Sequence, residues 1–261
     1  MTGQKKNHLI QSIDDRRNIV VPGNKEETLL FCVNHFITTA NASISTKGAF
    51  NVALSGGSTP KALYQLLASP RYRDAVDWKK VHLFWSDERC VPPTSEESNY
   101  HMAMEAGFGS LHIPSANIHR MEADKTDLEA AAKEYEIVIR QTVPDQAFDL
   151  IMLGMGDDGH TASLFPKTHG LHAQSRLVIA NFLPEKGIWR MTFTFDLLNR
   201  AHQTIVYVLG ASKATMLNNV LNGPYLPDEY PVQKVGTRTH KTLWVADTDA
   251  AKKPTFQHEA I

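Results

Sequence analysis

The chain reads as an α/β protein: a single doubly wound domain over residues 1–261, with a mostly parallel sheet and helices on both faces in a Rossmann-like, three-layer arrangement. Three observations predict this. Short apolar runs at 50–55, 81–85, 150–155 and 204–209 carry almost no polar interruption, as expected of parallel strands buried on both faces. Segments of helical period separate several of them, the alternation that builds a parallel sheet. Each run then meets glycine or charge, which places reactive residues at the carboxyl edge of the sheet, where open α/β sheets bind ligands.

In chain order, residues 24–46 predict a helix, because Leu29, Leu30, Val33, Phe36, Ile37, Ala40 and Ile44 fall near a 3.6-residue period. The strand at 50–55 runs into Gly56-Gly57-Ser58-Thr59-Pro60. Ser58 or Thr59 is expected to cap the next helix, and Pro60 suits its first turn. Two glycines before a helix start let an anion approach the backbone amides, although a strand–helix turn can use glycine for geometry alone. The spacing is neither the dinucleotide fingerprint nor a Walker loop.

The strand at 81–85 ends in Ser86-Asp87-Glu88-Arg89. Arg89 is able to grip phosphate or carboxylate with its fork, or to pair with Asp87 or Glu88. A helix is expected over 96–106, a short strand over 117–121, and a helix over 127–143 that Pro144 stops.

The richest stretch is 148–166. Its strand at 150–155 is followed by Gly156-Asp157-Asp158-Gly159-His160, where glycines allow a sharp turn. An imidazole at that edge can exchange protons near neutral pH, with a neighbouring carboxylate fixing its tautomer. The alternative is an ordinary Asp-Gly turn with an exposed histidine. Residues 166–175 look irregular, 177–180 and 190–195 read as strands, and Asn199 and Arg200 belong to a short helix or turn. The strand at 204–209 opens a helix from Gly210 to about Leu221. Lys213 sits in its first turn, where the helix dipole disfavours a cation unless an anion is bound. A proline-bearing loop at 224–231 and a strand at 241–245 follow, and the ends at 1–10 and 250–261 are expected to be loose.

Composition excludes several classes. Hydrophobic residues at 42% and charged residues at 21% are ordinary for a soluble globule. The net charge is −1 and the 27 basic residues are scattered, which argues against a nucleic-acid partner. Residues 1–11 lack the apolar core of a signal peptide, and no apolar stretch approaches the roughly 20 residues of a membrane span. Cys32 and Cys90 make no disulfide framework, Cys32 reads as core, and a reducing cytoplasm is the expected setting. Twelve histidines lack a His-Glu-x-x-His, and His160, His169 and His172 are the nearest approach to a metal grouping; none is expected. No obligate protein partner is evident.

Taken together, Leu54-Ser55-Gly56-Gly57-Ser58-Thr59-Pro60, Trp85-Ser86-Asp87-Glu88-Arg89, Ser98-Asn99-Tyr100, the stretch from Gly154 to Pro166, Arg190-Met191-Thr192 and Gly210-Ala211-Ser212-Lys213-Ala214 occur in an order that resembles the 6-phosphogluconolactonase family, within the broader glucosamine-6-phosphate isomerase/deaminase superfamily. The resemblance implies hydrolysis of 6-phospho-D-glucono-1,5-lactone to 6-phospho-D-gluconate in the oxidative pentose phosphate pathway. It makes His160 the base that activates water and the acid for the departing ring oxygen. Asp158 would orient His160, with Asp157 a competitor for that role. Ser55, Gly56, Gly57, Ser58, Thr59, Asp87, Arg89 and Lys213 would bind the phosphorylated substrate, with Arg190 a further contact. No metal or organic cofactor is implied. Two alternatives stand beside it. The deaminase branch typically reads Met-Asp-Glu-Tyr where this chain has Ser86-Asp87-Glu88-Arg89, and continues differently after the histidine. A non-catalytic phosphosugar-binding regulator would usually lack the base.

Overall fold

In the computed structural model, which describes residues 9–252, the uninterrupted apolar runs form the centre of one parallel sheet. The elements are β1 (Gln11–Ser12), β2 (Arg17–Val20), α1 (Lys25–Lys47), β3 (Phe50–Leu54), α2 (Ser58–Leu67), β4 (Val81–Trp85), β5 (Asp87–Arg89), α3 (Asn99–Ala106), α4 (Leu128–Thr142), β6 (Leu150–Gly154), β7 (Val178–Leu183), β8 (Ile188–Phe193), α5 (Phe195–Leu198), β9 (Thr204–Val208), α6 (Ala214–Asn222) and β10 (Thr242–Ala246). The main sheet has the order β1-β2-β10-β9-β6-β3-β4, parallel except for β1 against β2. From β3 the chain steps outward to β4, then returns to the other side of β3 as β6 and continues through β9 to β10. The strand order therefore reverses between β3 and β6, and the crevice beyond their carboxyl ends is the expected ligand site of such a sheet.

Helices cover both faces, as side-chain alternation demonstrates. Phe36 of α1 meets Phe50 edge-on at 5.4 Å, whereas Tyr135 of α4 lies 6.1 Å from Phe84. Phe50 pairs with Val81, three residues before Phe84, and strand neighbours an odd number apart point to opposite faces. All five residues of β3 and all five of β9 are buried, which is why both lack an alternating pattern. The long helix α1 starts where Asn24 and Glu27 form a reciprocal capping box.

A second, antiparallel sheet, β5-β8-β7, contains the strands expected at 177–180 and 190–195 as β7 and β8, but its edge strand and its pairing were not legible in the sequence. The charged triplet Asp87–Arg89, read only as the charged end of the strand at 81–85, is its edge strand, with Arg89 directly opposite Arg190. Four further expectations need correction. The strand at 117–121 reduces to a 3₁₀ turn, Ser115–Asn117, and a single bridge from Ile118 to Leu83, because the chain touches the edge of β4 at one residue only. The helix after β9 begins as a 3₁₀ turn at Ala211–Lys213. Strands β1 and β2 escaped notice, being short and polar. Ala250–Lys252 is not loose: Ala250 is buried and its amide donates to Asp247 Oδ1. The rest of that tail, and residues 1–8, lie outside the described residues. Among the described residues, no helix is long and apolar enough to cross a membrane.

Candidate active site

The crevice between β3 and β6 contains a cavity of about 240 Å³. Ser55, Gly56, Gly57, Ser58, Thr59, Asp87, Arg89, His160 and Lys213 all line it, so four separate segments, three loops and the strand β5, bring their predicted residues to one place. Asp158 and Arg190 are not among the lining residues; Asp158 contacts His160, and Arg190 is the cross-strand neighbour of Arg89.

The loop after β3 is held from below. Tyr64 of α2, fully buried, accepts from the Ser55 amide at 3.1 Å and donates to the Ser55 carbonyl at 2.9 Å. Gly57, not Ser58 or Thr59, is the N-cap of α2, and no side chain caps it. Its φ of 105° is a left-handed value that glycine adopts at little cost. The Ser58 and Thr59 amides are thus first-turn donors without a capping side chain, at the positive end of a ten-residue helix.

Arg89 enters on β5, and its Nη1 donates to the Glu97 carbonyl. Glu88 does not pair with it through a salt bridge. Its carboxylate instead gathers the Ser98 hydroxyl and the Asn99 and Tyr100 amides at the start of α3, together with the Arg89 backbone amide. Burial raises the Glu88 carboxyl above the ordinary range, against the pull of those amides. Asp87 is buried, accepting from Ser163 Oγ at 2.6 Å and Asn99 Nδ2 at 3.3 Å. Ser163 is itself held by Thr192 of β8 and Asn181 of β7, so the second sheet fixes the floor of the crevice. Arg190 is drawn below the ordinary guanidinium value by burial and by the like charge of Arg89.

Lys213 reaches the same crevice from the turn after β9. Buried Asp247 sets that turn by accepting the Gly210 amide on both carboxylate oxygens at 3.0 Å. Lys213 Nζ donates to the Met155 carbonyl at 3.0 Å and to Asp157 Oδ1 at 2.6 Å. Asp157 therefore pairs with the lysine, and it is Asp158 that contacts His160. His160 Nδ1 lies 2.5 Å from Asp158 Oδ1, which also accepts the His160 amide at 3.1 Å.

Burial would raise the Asp158 carboxyl, but the hydrogen bond and charge of His160 outweigh it and bring it down to about 2. An ionised carboxylate can only accept, so the Nδ1 facing it carries a proton, and in the neutral ring Nε2 is the nitrogen with the lone pair. A side chain at Gly156 would put its Cβ 2.0 Å from His160 Nδ1, so the imidazole needs glycine there. His169 and His172 face elsewhere, towards the Ala180 carbonyl and Asp228.

Sequence reasoning missed Asn99, Ser163, Tyr64 and Tyr207 as builders or liners of the crevice. Asn99 had a readable signal, since Ser98-Asn99 opens a helix beside a carboxylate-rich strand end. Tyr207 had none, because a tyrosine inside an apolar strand reads as core.

The glucosamine-6-phosphate isomerases/6-phosphogluconolactonase family pattern matches residues 23–244. The chain belongs to this family. The matched span runs from the start of α1 into β10 and takes in every residue that lines the crevice. Among relatives, a 6-phosphogluconolactonase of Chlamydia trachomatis is 38% identical over 243 residues, 93% of this chain and 92% of that one. One from Synechocystis is 40% identical over 231 residues, covering 87% and 92%. The crystal structure of 6-phosphogluconolactonase from Thermotoga maritima superposes with a TM-score of 0.75 at 30% identity, over 88% of this chain and 99% of that one.

Proposed function

We propose that the crevice hydrolyses 6-phospho-D-glucono-1,5-lactone to 6-phospho-D-gluconate, with His160 as general base and then general acid. The observation that carries this reading is the commitment of His160 Nδ1 to Asp158, which leaves Nε2 as the basic nitrogen in a cavity that also holds two cations and a helix start. Nε2 takes a proton from water as the water oxygen bonds to the lactone carbonyl carbon. The carbonyl oxygen becomes an oxyanion, which the positive field of the crevice stabilises. The ring C–O bond then breaks, and Nε2–H returns its proton to the departing ring oxygen. Asp158 stays ionised throughout and steadies the imidazolium between the two transfers. The Ser58 and Thr59 amides, Arg89 and Lys213 hold the phosphate, with Arg190 next to Arg89 on the neighbouring strand.

The relatives' shared name supports the lactone as substrate. Against the deaminase reading stands the use made of Thr161-Ala162-Ser163-Leu164-Phe165-Pro166, where Ser163 is spent on holding Asp87. Against a non-catalytic regulator stands the intact Asp158–His160 pair. The partner is a small phosphorylated lactone, with neither nucleic acid nor a protein partner needed. Free Cys32 and Cys90 suit a reducing cytoplasm. The test is lactone consumption at neutral pH with and without protein, measured above spontaneous opening, beside ammonia release from glucosamine 6-phosphate. Accelerated lactone loss with no ammonia is expected. Ammonia release without lactone turnover would reverse the assignment.

A pH profile separates the two members of the pair. A carboxyl lowered from 3.8 to about 2 stays ionised above that lower value, and its contribution to the fold is complete above 3.8 and is lost as pH falls from there through about 2. Any acid limb of kcat/KM in the range of roughly pH 5–8 therefore belongs to another group. Asp158→Asn should lower the plateau about a hundredfold or more by releasing the tautomer, while the acid limb persists. Disappearance of that limb in the variant would make Asp158 the titrating group.

A further inference from the structure

We propose that Phe165 is a positioning residue for this hydrolysis, its ring face holding the His160 imidazole in the plane that presents Nε2 to the crevice. The inference rests on the reading of His160 as the base. One hydrogen bond at Nδ1 does not fix an imidazole, because the ring still turns about that contact and its outer torsion is broad. Swinging the ring carries Nε2 away from a carbonyl that must be met within a few tenths of an ångström.

Two features remove that freedom. Gly156 closes against the Nδ1–Cε1 edge, where a Cβ would lie 2.0 and 2.2 Å from those atoms. Phe165 covers a face of the imidazole, with ring centroids 3.9 Å apart and planes 18° from parallel. The imidazole covers one face of Phe165, and Lys186 Nζ also lies over the phenyl ring, 4.6 Å from its centroid. Lys186 sits in the hairpin between β7 and β8, so the second sheet that supports Asp87 also backs the histidine.

The phenyl ring is also a partition. A separate cavity of about 300 Å³ is bordered by Asp158, Phe165, Lys186, Met216 and Tyr230, but not by His160. Shortening Phe165 joins the imidazole to that hollow and lets both ring and water move into it. Phe165 is only partly buried, so the substitution leaves the main core intact.

The experiment compares Phe165→Ala, Phe165→Leu and Phe165→Tyr with the wild type and with His160→Ala, by kcat, KM, product inhibition, melting temperature and proton NMR of the imidazole. Misplacing a catalytic group by about 1 Å costs on the order of a hundredfold, so kcat in Phe165→Ala should fall roughly ten- to hundredfold. KM and inhibition by 6-phosphogluconate should hold within about twofold, because the phosphate contacts lie elsewhere. Leucine keeps the bulk without the flat face and should stay slow; tyrosine should restore the rate. The His160 ring protons, identified by their loss in His160→Ala, should be shifted upfield by the phenyl ring current and return towards ordinary positions in Phe165→Leu. Wild-type activity in His160→Ala removes this inference together with the reading beneath it. An inactive His160→Ala beside a wild-type rate in Phe165→Ala or Phe165→Leu overturns this inference alone.

Discussion

His160→Ala lowers kcat by a factor of roughly 10² to 10⁴, the usual worth of positioned acid–base assistance, and leaves the protein folded and able to bind 6-phosphogluconate. The expectation follows from where the ring sits. His160 is a lining residue with about a quarter of its side chain accessible, and its structural contacts are confined to its own loop. The loop is closed without the imidazole, by Gly156 donating to the His160 carbonyl and Gly159 donating to the Gly156 carbonyl. Truncation therefore removes the base and little else. Product inhibition measured beside kcat separates lost chemistry from a damaged crevice. Near-wild-type turnover in the variant would remove His160 from the mechanism.

Arg89→Ala and Lys213→Ala weaken the phosphorylated lactone much more than an unphosphorylated gluconolactone. The two cations come from β5 and from the turn after β9, yet meet at one cavity beside the uncapped start of α2. Each charge-assisted contact contributes roughly 1.5–3 kcal/mol, so each single variant should lose about ten- to a hundredfold in kcat/KM for the phosphorylated substrate. Lys213 already holds Asp157, so an arriving dianion competes with that carboxylate, and the lysine should fall at the lower end of the range. A double-mutant cycle run with both substrates measures the coupling through the shared anion. Equal losses on both substrates would assign the two residues to the oxyanion or to the fold.

The parts of this site that sequence made legible are those where local pattern and function coincide. The strands β3, β6 and β9 show as apolar runs because parallel strands are buried on both faces. The glycines after them mark the reversal of strand order, and His160 and Lys213 follow directly. The edge strand of the second sheet stayed hidden for a physical reason. Asp87–Arg89 becomes a strand only by pairing with Arg190–Thr192, a long-range contact that three charged residues do not announce.

Neighbouring residues posed a different difficulty. Asp157 and Asp158 are chemically identical, and only the turn geometry sends one to Lys213 and the other to His160. Supporting residues were least visible. Tyr64, Asn99, Ser163 and Asp247 act by holding the chain around the crevice, and a buried hydrogen bond leaves no period in the sequence.

The central claim is that one crevice holds the phosphorylated lactone by its phosphate at the start of α2 and presents its carbonyl to His160. An experimental structure with 6-phosphogluconate bound tests it most directly. The account predicts the phosphate on the Ser58 and Thr59 amides with Arg89 and Lys213, and the product carboxylate within hydrogen-bond reach of His160 Nε2. A phosphate seated against His160, or a product bound between α3 and α4 beside Tyr100 and Tyr135, would contradict it.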